Sequence, residues 1–196
     1  PVGSGKSSTL QLLLQELPLA EGRLQIHGSL SYASQDPWVF NGTIRQNILF
    51  NHPYSKERYE NVISKCSLKT DFAQFENADM TIVGERGITL SGGQRARISL
   101  ARAIYRDADI YLLDDPLAAV DAEVGREIFK NCITDFLQKK TVILVTNHLQ
   151  LLQDVDSIII LENGRVKAQD TFSKLQESGL EFAKLLQLHG KEEEKA

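Results

Sequence analysis

The sequence has few cysteines and no long apolar run, and so lacks the features that build disulfide scaffolds, zinc centres and membrane spans. Its 196 residues include only two cysteines, Cys66 and Cys132, which stand far apart without a C-x-x-C pair. Both fall on apolar faces of predicted helices, so core packing is favoured over a redox or metal role. No apolar run approaches the roughly 20 residues of a membrane span. Direct insertion of this segment into a membrane is therefore not expected.

An excess of basic charge is also missing. The formal net charge is -4 at neutral pH, whereas nucleic-acid binding requires a basic surface that releases counterions. A nucleic-acid partner is therefore not expected, and a nucleotide is the more suitable ligand. Hydrophobic residues make up 42% and charged residues 24% of the chain, which is enough apolar content for one domain with a subdomain.

A glycine-rich loop stands at the start of the chain. Pro1-Val2-Gly3-Ser4-Gly5-Lys6-Ser7-Ser8 matches all but the opening glycine of the phosphate-binding loop G-x-x-x-x-G-K-[ST]. In such a loop backbone N–H groups surround the α- and β-phosphates, Lys6 reaches the β- and γ-phosphates, and the Ser7 hydroxyl ligates magnesium. Leucines at helical spacing follow until Pro18, so the loop leads into a helix. The opening glycine is expected before Pro1, which predicts an N-terminally truncated chain.

A second motif, Leu90-Ser91-Gly92-Gly93-Gln94, directly precedes a helical pattern. Its two glycines let backbone N–H groups approach an anion without obstruction by side chains. Ser91 offers a hydroxyl and begins a helix whose positive dipole end faces the same place. An ordinary capped helix gives the same pattern when the motif stands alone, so its meaning depends on its neighbours.

A third motif is an apolar run that ends in two acids, Asp114 and Asp115. The run from Ala108 onward is typical of a buried parallel strand, which places these acids at the carboxyl edge of a sheet. Asp114 is suited there to hold the magnesium that bridges the β- and γ-phosphates.

These motifs, in this order and at these separations, resemble the cytosolic nucleotide-binding domain of ATP-binding cassette (ABC) transporters over nearly the whole chain. Gln35 stands where the family's glutamine loop lies, and Asp121 stands where its aspartate loop ends. Residues 37–40, 47–50 and 108–117 resemble the first nucleotide-binding domain of the multidrug-resistance-associated, or subfamily C, exporters.

The resemblance implies an ATPase that uses ATP and Mg²⁺ at the cytosolic face of a membrane, as part of an integral membrane transporter. The implied partners are a second nucleotide-binding domain, which joins head to tail, and the transmembrane domains of the parent chain. Family members place the strand before the loop and an adenine-stacking aromatic residue upstream, so weak ATP affinity is expected without them. The cargo, by analogy, is an organic anion or drug.

The same resemblance assigns roles to individual residues. The ATP held by this chain is expected to contact the phosphate loop, namely Gly3, Ser4, Gly5, Lys6, Ser7 and Ser8. The ATP held by the partner is expected to contact the signature, namely Leu90, Ser91, Gly92, Gly93 and Gln94, together with Asp121. The implied magnesium ligands are Ser7, Gln35 and Asp114, and the implied catalytic residues are Gln35, Asp115, Asn147 and His148.

Two positions depart from the family pattern. Asp115 occupies the place of the glutamate that orients the attacking water, and its carboxylate retreats by about 1.5 Å because aspartate is one methylene shorter. Since misplacement by about 1 Å can cost about a hundredfold in rate, slow hydrolysis at this chain's own site is expected. Asp115 is also suited simply to cap the turn that follows. Family members place a histidine that contacts the γ-phosphate directly after the threonine of the next strand, and Asn147 stands at that position here. His148 follows one residue later. Asn147 is the favoured γ-phosphate contact, and His148 is the alternative if the strand ends before it.

The fold expected from this pattern is α/β, a phosphate-loop NTPase core of the ABC type with an inserted helical subdomain. The core is assigned to residues 1–42 and 106–196, and the helical signature subdomain to residues 43–105. Ser55 and Ser91 are predicted to begin helices, and another helix runs from Asp121 to about residue 137. Two short helices close the chain, and strands are predicted at 23–27, 30–34, 109–114, 141–146, 157–161 and 165–169, the last two joined by a tight turn at Asn163-Gly164.

Two functions of different classes fit these observations. In the first, the chain is half of an ATPase whose own site is degenerate while its signature completes a competent site on the partner. In the second, it is a non-catalytic regulatory module in which bound ATP holds the dimer closed.

Overall fold

A computed structural model describes residues 3–85 and 87–178 of the chain. The chain divides into two compact units. The central unit spans Gly22–Thr146, and the flanking unit combines residues up to Glu21 with those from Asn147 onward. The boundaries assigned to the helical subdomain from the sequence fall inside the central unit, and that subdomain stays a prediction.

Seven strands and seven α-helices are formed by the described residues. The strands are β1 Leu30–Ala33, β2 Gly42–Thr43, β3 Ile82–Val83, β4 Ile110–Asp114, β5 Thr141–Val145, β6 Ile158–Glu162 and β7 Arg165–Asp170. The helices are α1 Lys6–Leu13, α2 Ile44–Leu49, α3 Lys56–Lys65, α4 Lys69–Phe72, α5 Gly92–Tyr105, α6 Ala122–Ile128 and α7 Phe172–Glu177. No helix of this described part reaches the length and apolar character that crossing a membrane requires.

A parallel sheet of order β1-β4-β5 forms the centre of the central unit. Leu30 pairs with Ile110, which in turn pairs with Thr141. Tyr111 and Leu112 of β4 are fully buried, because the middle strand of a parallel sheet is covered on both faces. The expected α/β class and the strand that ends in acids are confirmed.

Helix α5 covers this sheet. Ser91 begins the helix in a capping box with Gln94, so two N–H groups that the helix would leave unsatisfied are bonded. The helix buries Ile98 and Ile104, and the Ser31 hydroxyl of β1 donates a hydrogen bond of 2.6 Å to the Ala103 carbonyl. The signature therefore enters a helix anchored against the sheet.

Helix α3 presents the apolar face that the sequence predicts, with Tyr59, Val62 and Ile63 buried. Cys66 follows directly and is fully buried, as is Cys132 in the π-helical turn Phe129–Phe136 that continues α6. Burial, together with a hydrogen bond to Cys132, raises the pKa of the Cys66 thiol. Core packing is thus the observed role of both cysteines.

The two thiols are expected to react with Ellman's reagent at neutral pH only after the chain unfolds, because both side chains are fully buried and the reagent cannot reach them. The measurement is the release of nitrothiobenzoate in buffer and in guanidinium chloride. Prompt labelling of either thiol in buffer would contradict the packing described here.

The flanking unit consists of α1, a hairpin and α7. Strands β6 and β7 pair antiparallel, and the turn residues Asn163 and Gly164 have φ of 51° and 73°, as the predicted two-residue turn requires. Ile158 of β6 and Leu175 of α7 form a buried apolar cluster in this unit. The second of the two short closing helices lies outside the described residues.

Two predictions about residues 14–29 are wrong. The strand predicted at 23–27 does not form, since Gly22 and Gly28 at its ends take φ of 93° and 114° and no described strand pairs with it. A strand without a ladder partner leaves its backbone groups to water. Helix α1 ends at Leu13 rather than continuing to Pro18, because Gln15 takes a left-handed conformation with φ 62°.

Candidate functional site

The phosphate loop leads directly into α1, as expected. Gly3 and Gly5 have φ of 77° and 98°, a region that only glycine enters without strain. Gly5 is the N-cap of α1 and no side chain caps this end of the helix, so its first N–H groups are suited to bind an anion. Lys6 opens the same helix, with its Nζ atom 3.5 Å from the Ser4 hydroxyl. Ser7 and Ser8 follow in the first turn. This cradle fits the phosphates of ATP.

The hairpin turn braces this loop from within the flanking unit. The Gly164 N–H donates a hydrogen bond of 3.1 Å to the Ser4 carbonyl. A Cβ placed on Gly5 would lie 3.5 Å from the Gly164 Cα. Ser4 itself is 4% exposed, so the middle of the loop is packed rather than loose.

The two acids end β4 at the carboxyl edge of the parallel sheet. Asp114 and Asp115 are 3% and 6% exposed. Asp115 takes a left-handed conformation with φ 45°, its N–H donates to the Val145 carbonyl at 2.8 Å, and its carbonyl accepts from the Ala118 N–H at 3.2 Å. Its backbone therefore begins a turn. Mg²⁺ in nucleotide sites takes one or two carboxylates together with phosphate oxygens, and these acids fit that requirement.

Gln35 and Asp115 line the same small cavity of the central unit. Gln35 lies two residues beyond the end of β1, Asp115 lies at the end of β4, and these strands are parallel neighbours. Ser34 and Ser99 add hydroxyl groups to the wall. The structure thus brings together two of the four residues that the resemblance names as catalytic.

The signature is held by hydrogen bonds on both sides of Ser91. The Ser91 hydroxyl accepts from the Gln94 N–H at 3.1 Å, and the Gln94 side-chain oxygen accepts from the Ser91 N–H at 2.9 Å. Leu90 is 4% exposed, and its carbonyl accepts from Arg95 at 2.9 Å. The Leu90 side chain is therefore an anchor inside the unit.

The signature glycines lie against the loop that follows the acids. A Cβ on Gly92 would lie 3.6 Å from the Ala119 Cβ, and a Cβ on Gly93 would lie 3.1 Å from the Ala119 carbonyl oxygen. Two residues further on, Asp121 is the N-cap of α6 with an exposed side chain that makes no cap hydrogen bond. The signature glycines thus pack against Ala119, two residues before Asp121.

The alternative between Asn147 and His148 stays open. Strand β5 ends at Val145, one residue earlier than predicted, so the strand has ended before both residues. Asn147 is exposed, and His148 is half-buried ahead of the 3-10 turn Leu149–Asp154.

The candidate residues divide between the two units. The flanking unit contains the phosphate loop, Asn147 and His148, and the central unit contains Gln35, Asp114, Asp115, the signature and Asp121. The implied magnesium ligands are divided in the same way, with Ser7 in the first set and Gln35 and Asp114 in the second. Their assignment as ligands remains a prediction.

Sequence reasoning missed four residues that support these motifs: Asp71, Arg97, Ala119 and Gly164. The sequence predicts Gly164 as a hairpin residue from its turn chemistry, but not its contact with the phosphate loop. Asp71, on the short helix α4, gave no signal, since an acid on a polar segment is ordinarily a solvated side chain. The partners of these residues are visible only in the folded chain.

Residues 1–118 match the family model described as ABC transporter. The mouse "ATP-binding cassette sub-family C member 4" is 53% identical over 194 residues, covering 99% of this chain and 15% of that protein. The Drosophila melanogaster "Probable multidrug resistance-associated protein lethal(2)03659" is 56% identical over 178 residues, covering 91% of this chain and 13% of that protein. The chain thus spans about 15% of the length of the curated relatives it matches.

The phosphate loop, the acids at the sheet edge and the capped signature helix are the elements on which the resemblance rested. The matches to subfamily C relatives run over nearly the whole chain. The expected α/β phosphate-loop NTPase class agrees with the observed parallel sheet and with the matched family model. This chain belongs to the ABC transporter family.

Proposed function

We propose that this chain is the ATP-binding cassette of an exporter of the multidrug-resistance-associated type, located at the cytosolic face of a membrane. It binds and hydrolyses ATP in a head-to-tail dimer with a second nucleotide-binding domain and drives export of organic anions or drugs. The observation that carries this proposal is the intact signature: its helix N-terminus is capped, Leu90 before it is buried, and its glycines contact Ala119. The sub-family C names of the relatives support the exporter type.

Binding of this chain's own ATP is assigned to the phosphate loop. The uncapped N–H groups of α1 and the Lys6 ammonium supply the positive field that triphosphate requires. Ser7 and Ser8 add hydroxyl groups in the same turn. Ser7, Gln35 and Asp114 are the residues proposed to hold Mg²⁺, which would neutralise charge that develops on the phosphates.

Binding of the partner's ATP is assigned to the signature, Leu90 to Gln94, and to Asp121, with Ser91, Gly92 and Gly93 supplying the donors. The Ser91 hydroxyl accepts its hydrogen bond from the Gln94 N–H, so its own proton remains to be donated to a phosphate oxygen. The glycines leave the backbone open above α5, where the helix dipole favours an anion. This arrangement stabilises negative charge without contributing a base.

Hydrolysis at this chain's own site is proposed to be slow. Asp115 sits within reach of the same cavity as Gln35, but its shorter side chain keeps the carboxylate back from the water that a glutamate would orient. Asn147 carries no positive charge for the γ-phosphate, and His148 is displaced by one residue. Two catalytic contributions are weakened at once.

Replacing Asp115 by glutamate is expected to raise the ATPase rate of the assembled transporter by about 2- to 10-fold, since the carboxylate regains its reach. The φ of 45° favours aspartate and asparagine over glutamate, so stability is expected to fall by about 1 kcal/mol. The measurement is phosphate release from purified transporter in lipid, with the melting temperature recorded in parallel.

Asp115→Asn is the matched control, because asparagine tolerates the same backbone conformation but lacks the carboxylate. It is expected to leave stability unchanged and to produce no gain in rate. If Asp115→Glu also leaves the rate unchanged in folded transporter, the chain is better described as the non-catalytic regulatory module, whose bound ATP holds the dimer closed.

Contact with the transmembrane domains is proposed at an aromatic surface beside Gln35. Trp38 and Phe50 are 46% and 45% exposed, a large apolar area to leave in water. Arg102 stacks 3.9 Å from the Trp38 ring centroid and donates to the Asn47 carbonyl at 2.7 Å; burial lowers its pKa to about 10. A rigidly held, half-exposed indole is suited to receive a helix reaching from the membrane.

The proposed function is tested with inside-out membrane vesicles that contain the full transporter. ATP-dependent uptake of a glutathione conjugate, absent with a non-hydrolysable ATP analogue, is the expected result. Equal accumulation with and without ATP would contradict the exporter assignment. Substitutions in the signature then tell whether this chain takes part in the transport cycle.

A further inference from the structure

Among the described residues of the central unit, two buried aspartates, Asp71 and Asp79, each make a two-point ion pair with an arginine, and Asp71 also touches the signature. Asp71 of α4 is 5% exposed. Its two carboxylate oxygens accept from the Arg97 Nε and Nη2 atoms at 2.9 and 2.8 Å. The Oδ1 atom of Asp71 also accepts from the Gln94 side-chain nitrogen at 3.3 Å. One carboxylate thus joins two residues of helix α5 to α4.

The Gln94 side chain is engaged at both ends. Its nitrogen donates to Asp71, and its oxygen accepts from the Ser91 N–H at 2.9 Å. A carboxylate can only accept hydrogen bonds, so Asp71 fixes which end of the amide faces it. The oxygen of Gln94 is thereby directed at Ser91.

The order of contacts runs from Arg97 through Asp71 and Gln94 to Ser91. Arg97 neutralises the buried carboxylate, whose side chain is only 7% exposed, so Asp71 presents little net negative charge to an approaching phosphate. The Gln94 side-chain oxygen accepts from the Ser91 N–H, and the Gln94 backbone N–H donates to the Ser91 hydroxyl oxygen. Ser91 is left with its hydroxyl proton as the group to donate outward.

We propose that Asp71 is a positioning residue for the signature: it orients the Gln94 amide, which holds Ser91 in the geometry that donates to the γ-phosphate of the partner's ATP. In this arrangement Gln94 acts through Ser91, in place of the direct contact with the partner's ATP that the resemblance implies for it. The inference rests on the proposed function for the role of Ser91, but the orientation of Ser91 is a property of the chain itself.

Asp79 provides a matched control inside the same unit. It is 8% exposed and accepts from the Arg45 Nε and Nη2 atoms at 2.8 and 3.1 Å. The pair has the same two-point geometry as Asp71 with Arg97. It makes none of the hydrogen bonds to the signature that Asp71 makes through Gln94, so Asp79→Ala reports the cost of breaking a two-point ion pair away from the signature, in a setting where the Arg45 side chain is 37% exposed.

The first measurement is hydrogen exchange in the full transporter, read on the peptide that covers Leu90–Gln94. In Asp71→Ala the Ser91 amide is expected to exchange about tenfold faster, because its acceptor is no longer held. Asp79→Ala is expected to leave this peptide unchanged. Unchanged protection of Ser91 in Asp71→Ala overturns the proposal.

The second measurement is ATP turnover per folded transporter. Asp71→Ala is expected to lower kcat by about tenfold, since a phosphate donor is misplaced, while binding of ATP to this chain's own phosphate loop is unchanged. Gln94→Ala, which leaves the pair of Asp71 and Arg97 intact, is expected to give the same loss and covers the case in which Asp71→Ala does not fold. Equal losses in Asp71→Ala and Asp79→Ala would overturn a positioning role.

Gly92→Asp distinguishes a failure of the positioning role of Asp71 from a failure of the proposed function. If Gly92→Asp stops turnover and Gln94→Ala does not lower it, the positioning role is wrong and the proposed function stands. If Gly92→Asp leaves turnover intact, the proposed use of the signature is wrong, and the exchange of the Ser91 amide alone decides whether Asp71 orients it.

Discussion

Replacing Gly92 by aspartate is expected to lower ATP turnover of the full transporter by about 100-fold or more, the cost of losing a preorganised anion contact. The new carboxylate would stand at the first residue of α5, where the partner's phosphate is proposed to bind. Like charges repel at this position, and the backbone N–H groups are covered. The measurement is steady-state phosphate release from purified transporter.

The same substitution is not expected to unfold the chain, which makes the result interpretable. A Cβ at Gly92 lies 3.6 Å from Ala119, an ordinary contact, and an acid in the first turn of a helix is favoured by about 0.3–1 kcal/mol. Gly92→Asn is the control for size without charge and is expected to lose less activity. Equal losses in the two variants would attribute the effect to bulk rather than to repulsion of phosphate.

Replacing Lys6 by alanine is expected to weaken binding of ATP to this chain by about 10- to 100-fold, the value of a charge-assisted hydrogen bond of about 1.5–3 kcal/mol. The uncapped N–H groups of α1 remain, so some affinity is retained. The measurement is the Kd for Mg·ATP by titration of fluorescent nucleotide and competition with ATP.

The matched control for Lys6 is Lys69→Ala, since Lys69 is an exposed lysine at the start of another helix. It removes the same charge without touching the phosphate loop, and its Kd is expected to be unchanged. A similar loss in both variants would show that overall charge, rather than contact with the phosphates, governs binding.

The parts of the site that the sequence predicts are those specified by local chemistry. The glycines of the phosphate loop need left-handed backbone at Gly3 and Gly5, and the Asn163-Gly164 turn needs it at both residues. The capping box is indicated by Ser91 at the N-cap and Gln94 three residues later. The acids of β4 follow from an apolar run too short for a helix. Each of these signals acts within a few residues.

The parts that the sequence does not predict depend on partners far along the chain. Asp71 meets Gln94 and Arg97 across more than 20 positions, and nothing in its neighbourhood marks it as buried. The strand predicted at 23–27 fails for the complementary reason, since alternation of side chains is present but no described strand pairs with it. Alternation of apolar and polar side chains shows that a segment can form a strand, and hydrogen bonding to a neighbouring strand decides whether it does.

The left-handed backbone at Asp115 adds a physical reading of the altered catalytic position. A residue with φ 45° accommodates aspartate and asparagine more readily than longer side chains. The left-handed turn at position 115 therefore suits the aspartate found there better than the glutamate that the family pattern has. The signature, in contrast, retains each residue that its capped helix uses.

The central claim is asymmetry: this chain contributes more to hydrolysis through the signature it lends than through the nucleotide it holds. The most direct test compares turnover of Gly92→Asp and Lys6→Ala in the same preparation of full transporter, normalised to folded protein. The account predicts that Gly92→Asp loses more activity than Lys6→Ala. The reverse order, with Lys6→Ala the more damaging change, would contradict it.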